Sequence, residues 1–297
     1  MPSRRTFIKQ ASLAATGAIL LKDNWFKKQQ LIGLQLYTLR AEIQKDLEGT
    51  LARVAAIGYN SVELFGYGNG KFFGKTPDEF SAILKKNHLK TPSGHYMMMG
   101  FLTKGDQDDL KKTVADAARM GHDYIVIPFL FDNMRKSLED YKNLAAKINV
   151  AGAEAKKAGL KLVYHNHNFE FKDWGGGQTG FDVFVKETDP SLVGFEMDIY
   201  WVERAGRDPI ELIRQNPGRI KMWHVKDMSV RAEKSFTTDG EQYFTEVGSG
   251  VIDYKEIFRH KKESGMEYFF VEQDQTKIPV FDSITKSYQY LKGTILA

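Results

Sequence analysis

Residues 193–226 read VGFEMDIYWVERAGRDPIELIRQNPGRIKMWHVK, and the reading of this stretch decides the fold. An apolar run, Val193–Asp198, ends in a carboxylate; a second, Ile220–Val225, carries an imidazole at His224. Short apolar runs without polar alternation read as strands covered on both faces. Between them, 209–214 has the pattern of a short helix opening on Pro209. Strand, helix, strand in this order is a parallel unit. The same rhythm extends outward in both directions. Strands are expected at 31–37, 61–64, 91–96, 124–129 and 161–166 upstream and at 268–272 downstream. Helices are expected at 47–57, 77–88, 106–120, 138–158, 181–187, 254–264 and 283–291. In the longest of these, Leu138, Tyr141, Leu144, Ala145 and Ile148 form one apolar stripe. Gly58, Gly121, Gly159 and Gly265 each stand where a helix should stop before the next strand.

Eight such units in about 265 residues match a single closed (β/α)8 TIM barrel, an α/β fold, occupying 29–297. A doubly wound open sheet is the competitor, but it would carry a glycine-rich phosphate loop after its first strand. Here that strand runs into Tyr37-Thr38-Leu39-Arg40. Gly175-Gly176-Gly177 falls in a long connection and reads as a flexible loop.

The N-terminus has a different character. Ser3-Arg4-Arg5-Thr6-Phe7-Ile8-Lys9 followed by a small apolar stretch, 11–21, reads as a twin-arginine-type signal region over 1–28. Its apolar stretch is too short for a membrane span. The expected destination is the periplasm. Residues 1–28 hold six basic side chains against one acidic, net +5, so of the chain's +4 the remainder carries −1. The body therefore has no bulk attraction for nucleic acid or anionic lipid. The chain has no cysteine, which excludes disulfides, thiolate metal sites and thiol nucleophiles.

In a barrel the active site gathers at the C-terminal ends of the strands. Asp198, His224 and Glu272 sit at three consecutive ends. Each alone would be ordinary: a helix cap, a hydrogen-bonded histidine, a solvated loop charge. Together they make most of a divalent-metal shell. Glu170, His165 and His167, from the fifth strand and its loop, are candidates to complete it. A carboxylate-rich set without thiolate points to manganese or magnesium, with zinc or cobalt as alternatives.

The runs LIGLQLYTLR (31–40), GYNSVEL (58–64), YHNHNFEF (164–171), HVKD (224–227) and FVEQD (270–274) resemble the sugar phosphate isomerase/epimerase family of xylose-isomerase-like barrels, over roughly 31–292. The resemblance implies a divalent metal held by Glu, Asp, His and Glu from the last four strands. Asp198, His224 and Glu272 match the last three. The first position holds His165, with Glu170 five residues later; Glu170 is read as the ligand and His165 as its alternative.

Such a metal polarises a carbonyl while a positioned base removes the proton beside it. His165, His167, Glu170 and Glu272 are the candidate catalytic groups, and Glu63, His95 and Lys226 the candidate substrate contacts. Trp174, Trp201 and Trp223 offer stacking faces for a sugar ring. The expected function is metal-dependent proton abstraction on a keto-sugar or 3-keto-glycoside. The outcome is isomerisation, epimerisation or, as the resemblance to 3-keto-glycoside lyases implies, elimination across C1 and C2. The expected partner is a small-molecule sugar, with no nucleic acid and no membrane span. A metal-dependent endonuclease barrel and a non-catalytic exported sugar-binding protein are the other classes. The first needs a basic face; the second does not need the metal shell.

Overall fold

The computed structural model describes residues 31–297; the proposed signal region, 1–28, lies outside them. Eight parallel strands close into a barrel: β1 Gly33–Gln35, β2 Ser61–Leu64, β3 Lys90–His95, β4 Tyr124–Ile127, β5 Lys161–His165, β6 Val193–Asp198, β7 Ile220–Val225 and β8 Tyr268–Val271. Each pairs with its sequence neighbour, and β1 pairs with β8 to complete the ring. At that seam a side chain on Gly33 would place Cβ 2.3 Å from the Phe270 ring and 2.7 Å from the Phe269 carbonyl, so the two strands can approach only because residue 33 is glycine.

One main helix follows each strand: α1 Leu47–Ile57, α2 Pro77–Lys86, α3 Gln107–Met120, α4 Leu138–Lys157, α5 Gly180–Glu187, α6 Pro209–Gln215, α7 Tyr254–Arg259 and α8 Val280–Tyr290. Their starts have local causes. Asp106 caps α3 through its side chain, and Thr76 and Thr179 build reciprocal capping boxes with Glu79 and Asp182. The stripe expected on α4 is buried at Tyr141, Leu144, Ala145 and Ile148.

The differences from expectation are at edges. β1 stops at Gln35, because the Gln35 side chain accepts a hydrogen bond from Tyr37 N (3.0 Å) and turns Leu36–Leu39 into a 3-10 helix. The helix expected over 254–264 breaks at His260, leaving Lys261–Ser264 as a separate turn. Two small antiparallel ribbons, Tyr67–Gly68 with Lys71–Phe72 and Asp227–Met228 with Phe244–Thr245, stand on the rim unforeseen. Among the described residues no helix is long and apolar enough to cross a membrane.

Along a strand, alternate residues face the same side. In β6 this puts Glu196 and Asp198 on one face, in β3 Ser93 and His95, and in β7 and just beyond it His224 and Lys226. The upper half of the barrel interior is therefore polar and charged, and nearly all of it is buried.

Candidate active site and metal centre

Asp198 ends β6 and caps the short helix after it: its Oδ1 accepts from Trp201 N (3.1 Å). Its Oδ2 is buried and lies 3.0 Å from the Lys226 ammonium. That oxygen faces His165 Nε2 at 3.8 Å and His224 Nδ1 at 4.0 Å. His224 Nδ1 also lies 2.9 Å from Glu272 Oε2, just past the end of β8. Asp198, His224 and Glu272 thus meet as expected, with ligand atoms all within 4.8 Å of one another.

The structure corrects two of the sequence assignments. Glu170 does not join this group. It sits on the 3-10 turn Phe169–Phe171, fully buried, accepting from Tyr164 OH and from His167 N (2.9 Å). Among the described residues, the neighbour from the fifth strand that faces Asp198 is His165. Glu63, expected to touch substrate, is fully buried beneath the rim. It accepts from Gln35 Nε2 (2.8 Å) and Ser93 Oγ (2.6 Å) and meets His224 Nε2 at 2.6 Å.

Sequence reasoning missed Glu196 and Asp274. Glu196 Oε2 is 3.0 Å from His165 Nδ1, 3.2 Å from His95 Nε2 and 3.3 Å from His224 Nε2. Its signal was available: it stands two residues before Asp198, on the same strand face. Asp274, two residues beyond Glu272, joins Asp198 and Glu272 around Lys226. Their distances to its Nζ are 2.8, 3.0 and 2.8 Å respectively.

The charges divide the site into two. Burial opposes ionisation throughout, and pushes Asp198 up to about 6 despite Lys226 and His224. For His224 the carboxylates of Glu196 and Glu272 overcome burial and hold its pKa well above the usual range. His95, against burial, is pulled up to about 9 by Glu63 and Glu196. Lys226 is held charged, against burial, by Asp198, Asp274 and Glu272. His165 and His167 go the other way: burial keeps both imidazoles neutral. Neutral imidazole is the form that ligates a metal or accepts a proton.

The donor set fits a divalent cation. Imidazole nitrogens and carboxylate oxygens converge within 4.8 Å of one another, buried from solvent, and the Lys226 ammonium already holds a positive charge against the same oxygens. Asp198, His224 and Glu272 would hold the ion, with His165 Nε2, 3.8 Å from Asp198 Oδ2, as the neighbouring nitrogen.

Above this floor opens a cavity of about 560 Å³. His95, His165, His167, Lys226, Glu272 and Asp274 line its base, and Tyr37, Phe65, Phe129, Phe131, Trp201 and Phe244 its walls. Trp201 thus offers a stacking face. Trp223 does not: it is fully buried, donating from Nε1 to Ser264 Oγ (3.0 Å). Trp174 lies among Tyr141 and Lys172 and is not on the cavity wall.

A closed eight-stranded barrel with acids and imidazoles at its strand ends defines a TIM-barrel protein with a buried His/Asp/Glu cluster that could hold a metal. Residues 51–292 match the xylose isomerase-like TIM barrel family, and the chain belongs to it. It is 25% identical over 278 residues to an inosose dehydratase of Lacticaseibacillus casei, covering 84% of this chain and 89% of that one. A solved sugar phosphate isomerase/epimerase from Parabacteroides distasonis superposes with a TM-score of 0.74 at 28% identity, over 89% of this chain and 93% of the other. A more distant barrel, an IolI protein solved with a zinc atom, gives 0.66 at 15% identity over 88% and 96%; at that identity it supports the fold alone.

Proposed function

We propose that this protein is a divalent-metal-dependent enzyme that acts on an unphosphorylated keto-sugar or 3-keto-glycoside, removing the proton next to the carbonyl and expelling the substituent beyond it. The observation that carries the reading is the meeting of Asp198, His224 and Glu272 with the neutral His165 at the floor of an aromatic-walled cavity. A family of sugar-modifying enzymes, with an isomerase/epimerase and a dehydratase among the relatives, supports it.

A cation at this place supplies Lewis acidity, drawing off the charge left when the proton departs. The chain's own groups do the rest. His167 lines the cavity base as a neutral imidazole, and it takes the proton. His95, kept protonated by Glu63 and Glu196, also lines the cavity base and gives its proton to the leaving oxygen. The Lys226 ammonium, held by Asp198, Glu272 and Asp274, keeps these carboxylates charged and in place at the cavity base. The aromatic walls exclude water and cover the apolar face of a sugar or aglycone.

Two observations favour this version. Lys226 and Arg40 are the lysine and arginine of the cavity lining. Lys226 is neutralised by three carboxylates, and Arg40 donates to the carbonyls of Tyr37 (3.0 Å) and Asp274 (2.7 Å). Neither is left for a phosphate. The proposed export of the chain points the same way. Epimerisation needs proton carriers on both faces of the substrate, and Glu170, the expected partner of Glu272, lies behind Tyr164 instead. Elimination needs only one base and one acid.

The test is to incubate metal-loaded protein with 3-keto-glucosides and free ketoses in deuterium oxide. Release of the aglycone is expected. Deuterium uptake with the glycosidic bond intact moves the assignment to isomerase or epimerase. Inertness towards the whole panel removes the keto-sugar reading.

A further inference from the structure

The two histidines at the metal floor each have a second ring nitrogen, and both point down to a buried carboxylate. His224 turns Nδ1 towards Glu272 and Asp198, and its Nε2 lies 2.6 Å from Glu63 Oε2. His165 turns Nε2 towards Asp198, and its Nδ1 lies 3.0 Å from Glu196 Oε2. We propose that Glu63 and Glu196 are positioning residues, the outer carboxylates of two carboxylate–histidine–cation triads, and that His95 clamps the pair together. The proposal rests on the metal reading above and assigns Glu63 and Glu196 a task within it.

Glu63 is well placed for that task. The amide of Gln35 and the hydroxyl of Ser93 donate to its two oxygens, so the carboxylate is fixed and remains an acceptor. An acceptor 2.6 Å from His224 Nε2 demands a proton there. Without an ion both ring nitrogens face carboxylates and the ring keeps both protons; an ion bound beside Asp198 and Glu272 would displace the Nδ1 proton, and the lone pair would then face it. Glu196 places the proton of His165 on Nδ1 in the same way and leaves Nε2 for the ion. His95 Nε2 lies 3.1 Å from Glu63 Oε2 and 3.2 Å from Glu196 Oε2, a cationic bridge between two buried carboxylates that would otherwise repel. Partners of this kind set the tautomer and ring orientation of a ligating histidine and raise its basicity.

The same inner atoms admit one rival. His95, His165, Glu196 and His224 could themselves surround a second cation, since their ligand atoms also lie within 4.8 Å of one another. The short Glu63–His224 contact argues against it, because it occupies the nitrogen such an ion would need.

Zinc is the probe. Wild-type protein should bind one equivalent, measured by elemental analysis and chelator competition. Glu63→Gln and Glu196→Gln should bind the same single equivalent about 10–100-fold more weakly, with unchanged circular dichroism. Ser93→Ala, which frees one oxygen of Glu63, should give a smaller loss in the same direction. Nitrogen-15 NMR of the zinc-loaded wild type needs no variant: His224 should be metallated at Nδ1 and protonated at Nε2, and His165 the reverse. Wild-type protein that binds no zinc overturns both the metal reading and this one. One equivalent held with full affinity by both Gln variants, or the opposite tautomers, overturns only the positioning role. Two equivalents per chain transfers the inner atoms to a second ion and overturns it as well.

Discussion

At Asp198 the two oxygens of one carboxylate have separate partners. Oδ1 caps a helix through Trp201 N, and Oδ2 lies against the Lys226 ammonium and faces the imidazoles of His165 and His224. The helix cap and the proposed metal contact thus fall to different oxygens of one carboxylate. Asparagine caps helices about as well as aspartate. Asp198→Asn should therefore keep the helix cap while removing a proposed metal ligand and one of the three carboxylates around Lys226. Turnover should fall by at least about a thousandfold, as transition-state charge loses its main stabiliser. His224→Ala should lose turnover to a similar degree. Activity assays beside thermal melts check both, and full turnover in either variant contradicts the assigned role. Glu170 shows what residue spacing cannot convey. Five positions past the usual strand end is within reach of the ion on paper. The turn at Phe169–Phe171 instead points the side chain at Tyr164, and burial there raises its pKa to about 7.

At the scale of an element, the connection from β7 to α7 is held by one residue. Asp227, buried, accepts from four backbone N–H groups: Met228 (2.7 Å), Gly248 (2.9 Å), Gly250 (3.1 Å) and Ile252 (3.3 Å). A Cβ at Gly250 would come within 2.2 Å of Asp227 Oδ1, so the loop closes this tightly only on glycine. The same connection carries Thr238 and Phe244 to the cavity wall. The aspartate of the HVKD run thus builds the loop, while its lysine neighbour faces the chemistry. Asp227→Ala leaves these donors without their acceptor and should cost about 3 kcal/mol or more. A lowered melting temperature and a KM raised more than kcat is lowered are the expected readings. An unaltered melting temperature would mean that the loop is organised from elsewhere.

For the molecule as a whole, stability should depend on pH through a histidine far from the chemistry. His122 is packed between the barrel and α3, with Thr91 Oγ1 at 3.1 Å from Nε2 and Tyr96 OH at 3.2 Å from Nδ1. Burial lowers its pKa from 6.5 to about 3. The folded state keeps the ring neutral while the unfolded chain protonates it near 6.5. Its contribution is complete above pH 6.5 and is lost as pH falls towards 3. Within that window each pH unit removes up to about 1.4 kcal/mol. His122→Gln should flatten the acid limb of the melting-temperature profile; an identical slope in the variant would assign acid sensitivity to other groups.

The strand–helix rhythm was legible because each cause is local: apolar runs, capping residues and glycine stops act within a few positions. β6 and β7 match their expected limits, and α1 matches fully. The three consecutive strand ends were legible for the same reason, since a barrel topology brings the ends of successive strands to one rim. What lay beyond sequence was everything set by direction across the barrel: that Glu196 reaches three imidazoles, that Glu63 lies under His224, and that Glu170 turns aside. Side-chain alternation and local pattern are properties of a segment. Which atoms end within 3 Å of each other depends on how eight strands stagger as the ring closes, and only the closed structure determines that stagger.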